Sequence, residues 1–217
     1  MKKLILVLFI VSLGLSAFAQ NWDKVEIDSA VSIKLPKGFK KTEKTGEESF
    51  SAQTSFGTIL IFKADDDAKV TPDIEKDKHL NTFYDKYITR VKNSSKDGKI
   101  THEKDSVLGE LKVKDFTLEI DSGSGTQLRK FRLLHANNAT YTFEFLFQEI
   151  HKEYAAEECN QFFNSISVND TLHRSDQFTD ESIPATSNNR IYIVGAGIIL
   201  VGLLLFFVLR NKKKKTT

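Results

Sequence analysis

Apolar and polar residues alternate along several segments of the chain, which is the pattern of strands with one buried face. Such runs occupy 25–27, 31–35, 50–54, 100–108, 111–120 and 127–135, and 58–63 is almost wholly apolar, as in a buried strand. The clearest strand places four aromatic residues on one face: Tyr141, Phe143, Phe145 and Phe147. Each such side chain can bury about 150–250 Å², so we expect this face to form core rather than a stacking platform for ligands.

Two further segments have the spacing of three and four residues that is typical of amphipathic helices. The first is expected to begin at Thr71 as N-cap and Pro72 as first helical residue, with this buried stripe: Leu80, Phe83, Tyr84, Tyr87, Ile88 and Val91. The second runs from His151 to Ser165, with this stripe: Tyr154, Ala155, Cys159, Phe162 and Ile166. The order of strands, helix, four strands and helix predicts an α+β fold, a mostly antiparallel sheet with two main helices packed on it as a sandwich.

Three short stretches of this region resemble the PsbP-like superfamily, which includes PsbP, DcrB and LpqN-type exported proteins. They are VSIKLPKGF at 31–39, FGTILIF at 56–62 before a long helix, and the closing FFNSISV at 162–168. The resemblance covers about 22–168. It implies an α+β domain that acts as an assembly factor or binding module, and it carries no binding residue across because no site motif of the family is present.

The start of the chain is typical of a bacterial signal peptide over residues 1–19. A short basic opening precedes an apolar segment at 4–15, and a small-x-small ending follows it. We therefore expect cleavage between Ala19 and Gln20. An uncleaved N-terminal anchor is the alternative interpretation.

An apolar run of 19 residues near the other end, from Ile191 to Leu209, contains no charge and no proline. As a helix it would span roughly 28 Å, about one bilayer core. Basic residues flank it at Arg190 and Arg210 and continue in the tail at 211–217. These features predict a transmembrane helix over 190–210, with the basic tail in the cytoplasm and the preceding domain on the outer side.

Residues 169–189 join the predicted domain at 20–168 to the predicted span. They are rich in Asp, Ser, Thr and Asn and poor in apolar residues, so we expect a polar spacer. The stretch IPATS at 183–187 is a near match to a sortase signal, and a sortase would cut after Thr186 and move the domain to the cell wall. An ordinary turn at the proline is the alternative.

The distribution of charge argues against nucleic acid as a partner. All 29 acidic residues lie within 20–189, against 23 of the 31 basic residues, so this segment carries a net charge of −6. Proteins that bind nucleic acid present a basic face to the phosphates. The lysines of this segment alternate with acidic residues instead of forming such a face.

No pattern of residues in the sequence indicates catalysis, a metal or a cofactor. The five histidines lack the spacing of zinc ligands, and no serine lies in a nucleophile-elbow motif. The aspartates at 65–67 lack the spaced ligands of a calcium loop and are expected to be a solvated acidic loop. Cys159 is the only cysteine, so we expect a buried free thiol and no internal disulfide.

Together these features predict a protein of the bacterial cytoplasmic membrane with one C-terminal span and its domain on the periplasmic or extracellular side. We expect a non-catalytic binding or assembly module with an envelope protein as partner. One alternative is a sensor or carrier of a small ligand, with a pocket between sheet and helix lined by Tyr84, Tyr87 or Tyr141. A hydrolase whose site is scattered along the sequence is another.

Overall fold

The structure, a computed structural model, describes residues 21–67, 71–95, 97–121, 123 and 125–179. Several predictions fall outside the described residues and stay predictions: the signal peptide with Ala19 and Gln20, the span from Ile191 to Leu209 with Arg210, the tail at 211–217, and Thr186. None of the helices in the described part of the chain is long and apolar enough to cross a membrane.

The described residues form ten strands and two α-helices. The elements before the midpoint are β1 (Trp22–Glu26), β2 (Val31–Pro36), β3 (Lys40–Lys44), β4 (Glu47–Gln53), β5 (Gly57–Asp65) and α1 (Asp77–Asn93). The later elements are β6 (Lys99–Leu108), β7 (Leu111–Asp121), β8 (Thr126–Ala136), β9 (Ala139–Gln148), α2 (Lys152–Asn164) and β10 (Ser167–Val168). Two 3₁₀ helices, Glu149–His151 and Arg174–Gln177, precede α2 and follow β10.

The strands pair into two antiparallel sheets. The larger has the order β3-β4-β5-β9-β8-β7-β6, and the smaller has the order β1-β2-β10. Each neighbouring pair of strands is antiparallel. The sheets and the two helices packed against them confirm the predicted α+β class.

The two helices cover opposite faces of the larger sheet. On one face α1 packs its apolar stripe against β7 and β8, where the rings of Phe116 and Phe131 stack at 4.6 Å. On the other face α2 and the smaller sheet cover the aromatic row of β9. These four residues are at most 3% exposed, which confirms that they form core: Tyr141, Phe143, Phe145 and Phe147.

Helix α1 begins at Asp77, five residues after the predicted start at Pro72. The hydroxyl of Thr71 accepts a hydrogen bond from the N–H of Asp67 at 3.2 Å and does not cap the helix. Farther along, the N–H of Ile74 donates to Thr179 Oγ1 at 2.9 Å, and the N–H of Thr179 donates to the Ile74 carbonyl at 3.0 Å. This pairing with a distant segment holds the residues before Asp77 outside the helix.

Residues 169–179, predicted as the first half of the spacer, pack on the domain instead. The N–H of Asn169 donates to the carbonyl of Ala30 at 2.9 Å, and Gln177 is fully buried. The polar composition predicted a spacer because it indicates little apolar surface to bury. The segment is held on the domain by hydrogen bonds instead. The domain therefore extends at least to Thr179.

Gln177 fills a gap where β7 and β8 separate. The hydrogen-bonded pairing of these strands ends at Lys114 and Leu133. Beyond this pair, the backbone N–H and C=O groups near Lys112 of β7 and His135 of β8 have no partner on the opposite strand. The carboxamide of Gln177 accepts from the Lys112 N–H at 2.7 Å and donates to the carbonyls of Lys112 and His135, both at 2.8 Å. One side chain thus replaces the missing bonds between two strands.

Candidate binding surface and cavity

Four large apolar side chains are exposed among the described residues, and two of them, Phe56 and Tyr154, are in contact. Phe56 is 39% exposed, Ile150 is 83% exposed and Tyr154 is 65% exposed. The rings of Phe56 and Tyr154 stack at 5.3 Å, and the ring of His151 lies 5.9 Å from that of Phe56. Ile150 lies four residues before Tyr154, on the 3₁₀ turn that leads directly into α2. We call Phe56, Ile150 and Tyr154 the aromatic patch.

The exposure of Tyr154 corrects the predicted buried stripe of the second helix. The other four residues of that stripe are buried: Ala155, Cys159, Phe162 and Ile166. Tyr154 precedes Ala155 by one position, or about 100° around the helix, which places it beyond the edge of the contact with the sheet. The burial of the Cys159 thiol is confirmed, and it raises the pKa of this group to about 11.

The hairpin tip that carries Phe56 is fixed by hydrogen bonds. The Glu158 carboxylate of α2 accepts from the N–H groups of Ser55 at 2.9 Å and Phe56 at 3.1 Å. Within the turn, the N–H of Thr54 donates to the Gly57 carbonyl, and the N–H of Gly57 donates to Thr54 Oγ1, each at 2.9 Å. Phe56 is therefore displayed on an ordered turn that is tied to the helix bearing Tyr154.

Gly57 lets this turn lie directly on the core. A Cβ atom at this position would stand 2.5 Å from the ring of Phe145 and 3.0 Å from the carbonyl oxygen of Leu146. Such distances are too short for any side chain, so the residue after Phe56 must be glycine for the turn to keep this position.

Acidic side chains accompany the aromatic patch. Glu149, Glu153 and Glu157 are exposed and follow one another at intervals of four residues, next to the line of Ile150 and Tyr154. Lys152 is the only lysine or arginine between 149 and 158. The apolar surface thus has a predominantly negative border.

A cavity of about 420 Å³ lies on the opposite side of the sheet, between α1 and the chain that leads from β5 into it. Its lining is mostly apolar, with charged and hydroxyl groups around it. The lining residues are Ala64, Asp65, Asp66, Thr71, Pro72, Thr82, Phe83, Asp85, Lys86, Tyr87, Thr89, Arg90 and Thr140. This volume is within the range of small-molecule sites.

Of the three tyrosines that were predicted to line a pocket between sheet and helix, the structure places only Tyr87 at this cavity. Its hydroxyl lies 2.7 Å from Thr142 Oγ1, and burial raises its pKa to about 12. Tyr84 is buried beside it and donates to the Lys112 carbonyl at 3.2 Å. Tyr141 lies on the other face of the sheet and donates to the Asp28 carboxylate at 2.6 Å.

A buried ion pair and a buried histidine lie on the face of the sheet that α1 covers. Arg129 binds the fully buried Glu144 through both carboxylate oxygens, with Nη2 at 3.0 Å from Oε2. The ring of His135 faces two acceptors, the carbonyl of Gln177 and the carboxylate of Asp66, each at 3.0 Å. These two contacts hold the imidazole of His135 in one orientation between Gln177 and Asp66.

The chemistry around His135 does not form a nucleophilic site. In the described part of the chain, no hydroxyl or thiol contacts the imidazole nitrogens. Over the same residues, no group of three or more histidine, cysteine, aspartate or glutamate side chains is arranged to hold a metal ion. What the geometry offers is a fixed apolar surface and a cavity, which are features of binding sites.

No family model and no curated protein matches the chain. Its fold is similar to that of solved structures. The cyanobacterial PsbP of Synechocystis has a TM-score of 0.48 and 8% identity, over 71% of this chain and 96% of that one. LpqN of Mycobacterium tuberculosis, which is involved in cell envelope biogenesis, has a TM-score of 0.41 and 10% identity, over 69% of this chain and 91% of that one. The Ran-binding protein Mog1p of Saccharomyces cerevisiae has a TM-score of 0.41 and 10% identity, over 74% of this chain and 100% of that one.

These similarities confirm the weak resemblance to the PsbP-like fold that the sequence predicted, and they add Mog1p to it. Identities of about a tenth and TM-scores below 0.5 describe the fold alone. They carry no information about the activity, ligand or partner of this chain.

Proposed function

We propose that this protein is a non-catalytic binding module of the bacterial envelope, and that it docks a protein partner on the aromatic patch. The observation that supports the proposal is the stacked, exposed pair of Phe56 and Tyr154, with the exposed Ile150 on the turn that leads into the same helix. Large apolar side chains are rarely left exposed together without a partner, and aromatic residues dominate the binding energy of protein interfaces.

The order of the patch favours binding as well. Glu158 ties the turn of Phe56 to α2, so the rings of Phe56 and Tyr154 are held in position before any partner arrives. A surface that is already ordered loses less conformational entropy when it binds. A flexible turn with the same residues would bind more weakly, because binding would also have to order it.

The border of the patch defines the chemistry of the partner. Glu149, Glu153 and Glu157 present negative charge beside the apolar centre. A complementary partner has an apolar side chain at the centre of its interface and lysine or arginine around it. An anionic lipid surface would be repelled by these carboxylates, so a protein is the better occupant.

A location at the cytoplasmic membrane is part of the same proposal. We propose that residues 1–19 direct export and that 190–210 anchor the domain on the outer side of the cytoplasmic membrane. A C-terminal epitope tag should then be protected from protease in intact cells, and digestion of the tag there would overturn this topology. Mass spectrometry of the mature protein separates a retained tail from cleavage after Thr186.

Site-specific photocrosslinking in cells tests the docking surface. A photoreactive phenylalanine analogue replaces Phe56 or Tyr154 in the full-length chain, and Val107 serves as the control because it is a 70% exposed apolar residue of β6, outside the patch. We expect discrete crosslinked products from positions 56 and 154 and none from position 107. The same products from all three positions, or none from any, would contradict the proposal.

Binding to the partner that is identified in this way gives the second test. Tyr154→Ser removes a ring of the patch, and Glu158→Ala releases the turn without removing any apolar contact. Each change should weaken affinity about tenfold or more, as interface residues of this kind do. Glu26→Ala, an exposed glutamate in β1, is the matched control and should leave affinity unchanged. Equal affinities for all three variants would show that the partner binds elsewhere.

A further inference from the structure

The acidic and the basic side chains that line the cavity beside α1 differ in whether they have an oppositely charged or hydrogen-bonding side chain as partner. Each of the three carboxylates among the described lining residues has a nearby partner. Lys63 Nζ is 3.2 Å from Asp65, and it also pairs with Asp28 and Glu48. Lys114 Nζ is 3.8 Å from Asp85, but it lies closer to Glu103 and Asp105. The buried carboxylate of Asp66 lies 3.0 Å from Nε2 of His135.

The two cations among the described lining residues have no carboxylate partner. Within the described residues, neither Lys86 nor Arg90 has a carboxylate oxygen within the 4.0 Å of an ion pair. Arg90 donates from Nε to the Lys86 carbonyl at 3.4 Å, and its guanidinium lies 5.6 Å from the ring of Tyr87. Lys86 and Arg90 are one helical turn apart, so both charges stand at the same side of the cavity.

We propose that this cavity binds a small amphiphilic carboxylate, whose apolar body fills the space and whose anion pairs with Lys86 and Arg90. The apolar body contacts Pro72, Phe83 and the ring of Tyr87, which all line the cavity. A fully polar anion such as free phosphate would leave this apolar lining uncovered, and a cationic ligand would be repelled by Lys86 and Arg90. The proposal is independent of the aromatic patch, which lies across the sheet.

Three ligands with one ring system and different charges test the inference. They are 2-naphthylacetate, 2-(2-naphthyl)ethanol and 2-(2-naphthyl)ethylamine, which carry a negative, a zero and a positive charge. Each is small enough for a cavity of about 420 Å³. Equilibrium dialysis uses the full-length chain in nanodiscs of zwitterionic lipid, with empty nanodiscs as the blank. We expect the carboxylate to bind at least fivefold more tightly than the alcohol and the amine to bind most weakly.

Substitutions on one helix locate the site. Lys86→Gln and Arg90→Gln should each weaken binding of the carboxylate about two- to fivefold, the range for partly exposed ion pairs, and leave binding of the alcohol unchanged. Lys92→Gln, an exposed lysine of the same helix outside the lining, is the control. Equal binding of the three ligands, no binding of the carboxylate at millimolar concentration, or affinities that ignore Lys86 and Arg90 would overturn the inference. Tyr154→Ser should not change any of these affinities, so the result is separate from that for the docking surface.

Discussion

Replacing Gln177 by leucine tests whether the segment after β10 is part of the domain. Leucine has a similar size, so little space is left, but it can neither accept from the Lys112 N–H nor donate to the His135 carbonyl. The Lys112 carbonyl keeps a donor because the hydroxyl of Tyr84 lies 3.2 Å from it. The change therefore leaves two buried backbone groups without partners and removes little packing.

The size of the effect follows from those two groups. A buried polar group without a partner costs about 1–3 kcal/mol, so the free energy of unfolding should fall by about 2–6 kcal/mol. This is a large share of the 5–15 kcal/mol that is typical of a domain. With a urea dependence of about 2 kcal/mol per molar, the unfolding midpoint should drop by at least about 1 M.

Pulse proteolysis of the full-length chain across a urea series measures this midpoint. Gln161→Leu is the matched control, because it makes the same substitution at an exposed position of α2 and should change stability by less than about 0.5 kcal/mol. Hydrogen exchange at the Lys112 amide should also speed up in Gln177→Leu. If both variants unfold at the same urea concentration, the carboxamide does not bridge β7 and β8, and residues 169–179 return to the predicted spacer.

Three further predictions concern buried titratable groups. Arg129→Met leaves Glu144 buried without its cation and should cost about 3–5 kcal/mol in urea unfolding, and the addition of Glu144→Leu should recover part of this loss. Cys159, with its pKa raised to about 11 by burial, should react with a thiol reagent at pH 8 at least about 100-fold more slowly in the native than in the urea-unfolded chain, and rapid native labelling would contradict its burial. Burial by itself would raise the pKa of Asp28, but hydrogen bonds from Tyr141 and two backbone N–H groups lower it below 3.8. The stability that Asp28 provides is therefore present above the pKa of this group in the unfolded chain, and it is lost as the pH falls through the pKa in the folded chain. The difference in unfolding free energy between wild type and Asp28→Asn should shrink below about pH 4 and stay constant from pH 5 to 7.

The parts of the fold that could be predicted from the sequence are those in which one segment carries its own signal. The alternation from Tyr141 to Phe147 defines a buried face whatever packs on it, and the structure leaves these side chains at most 3% exposed. The stripe of α1 from Leu80 to Val91 is of the same kind, and its six predicted residues are all buried. Local periodicity is enough here because burial on one face requires no knowledge of the partner.

The errors arise where a distant segment decides the local structure. Thr71 and Pro72 are a good helix start in isolation. Thr179, however, binds the N–H and the carbonyl of Ile74, and the helix begins only after these residues. Gln177 belongs to a polar stretch, and nothing in its neighbours shows that it faces a gap between two strands. Polar contacts over a long sequence separation have no periodic signature, so they are invisible to pattern analysis.

The candidate binding features differ in the same way. Tyr154 fits the helical stripe by spacing, but the width of a stripe depends on how far the sheet extends beneath the helix, which spacing does not record. Of the described lining, the sequence indicated Tyr87 alone as a pocket residue, because the other residues come from β5, from 71–72, from further positions of α1 and from β9, and no local pattern shows that these segments meet. The available signal for the patch was Ile150 and Tyr154 among the acidic residues of 149–158.

The correction at 169–179 changes the geometry of the proposed anchor. A spacer over 169–189 would have 21 residues and a maximal reach of roughly 70 Å, whereas 180–189 has ten residues and reaches at most about 35 Å. The described chain ends at Thr179, which is bound to Ile74 on the side of the sheet that α1 covers. If 190–210 spans the membrane, the domain stays close to the bilayer and its α1 side is the one nearest to the tether. A partner that reaches the aromatic patch on the opposite side must therefore be a membrane protein with its own outer domain, or a soluble protein that approaches from beyond the membrane surface.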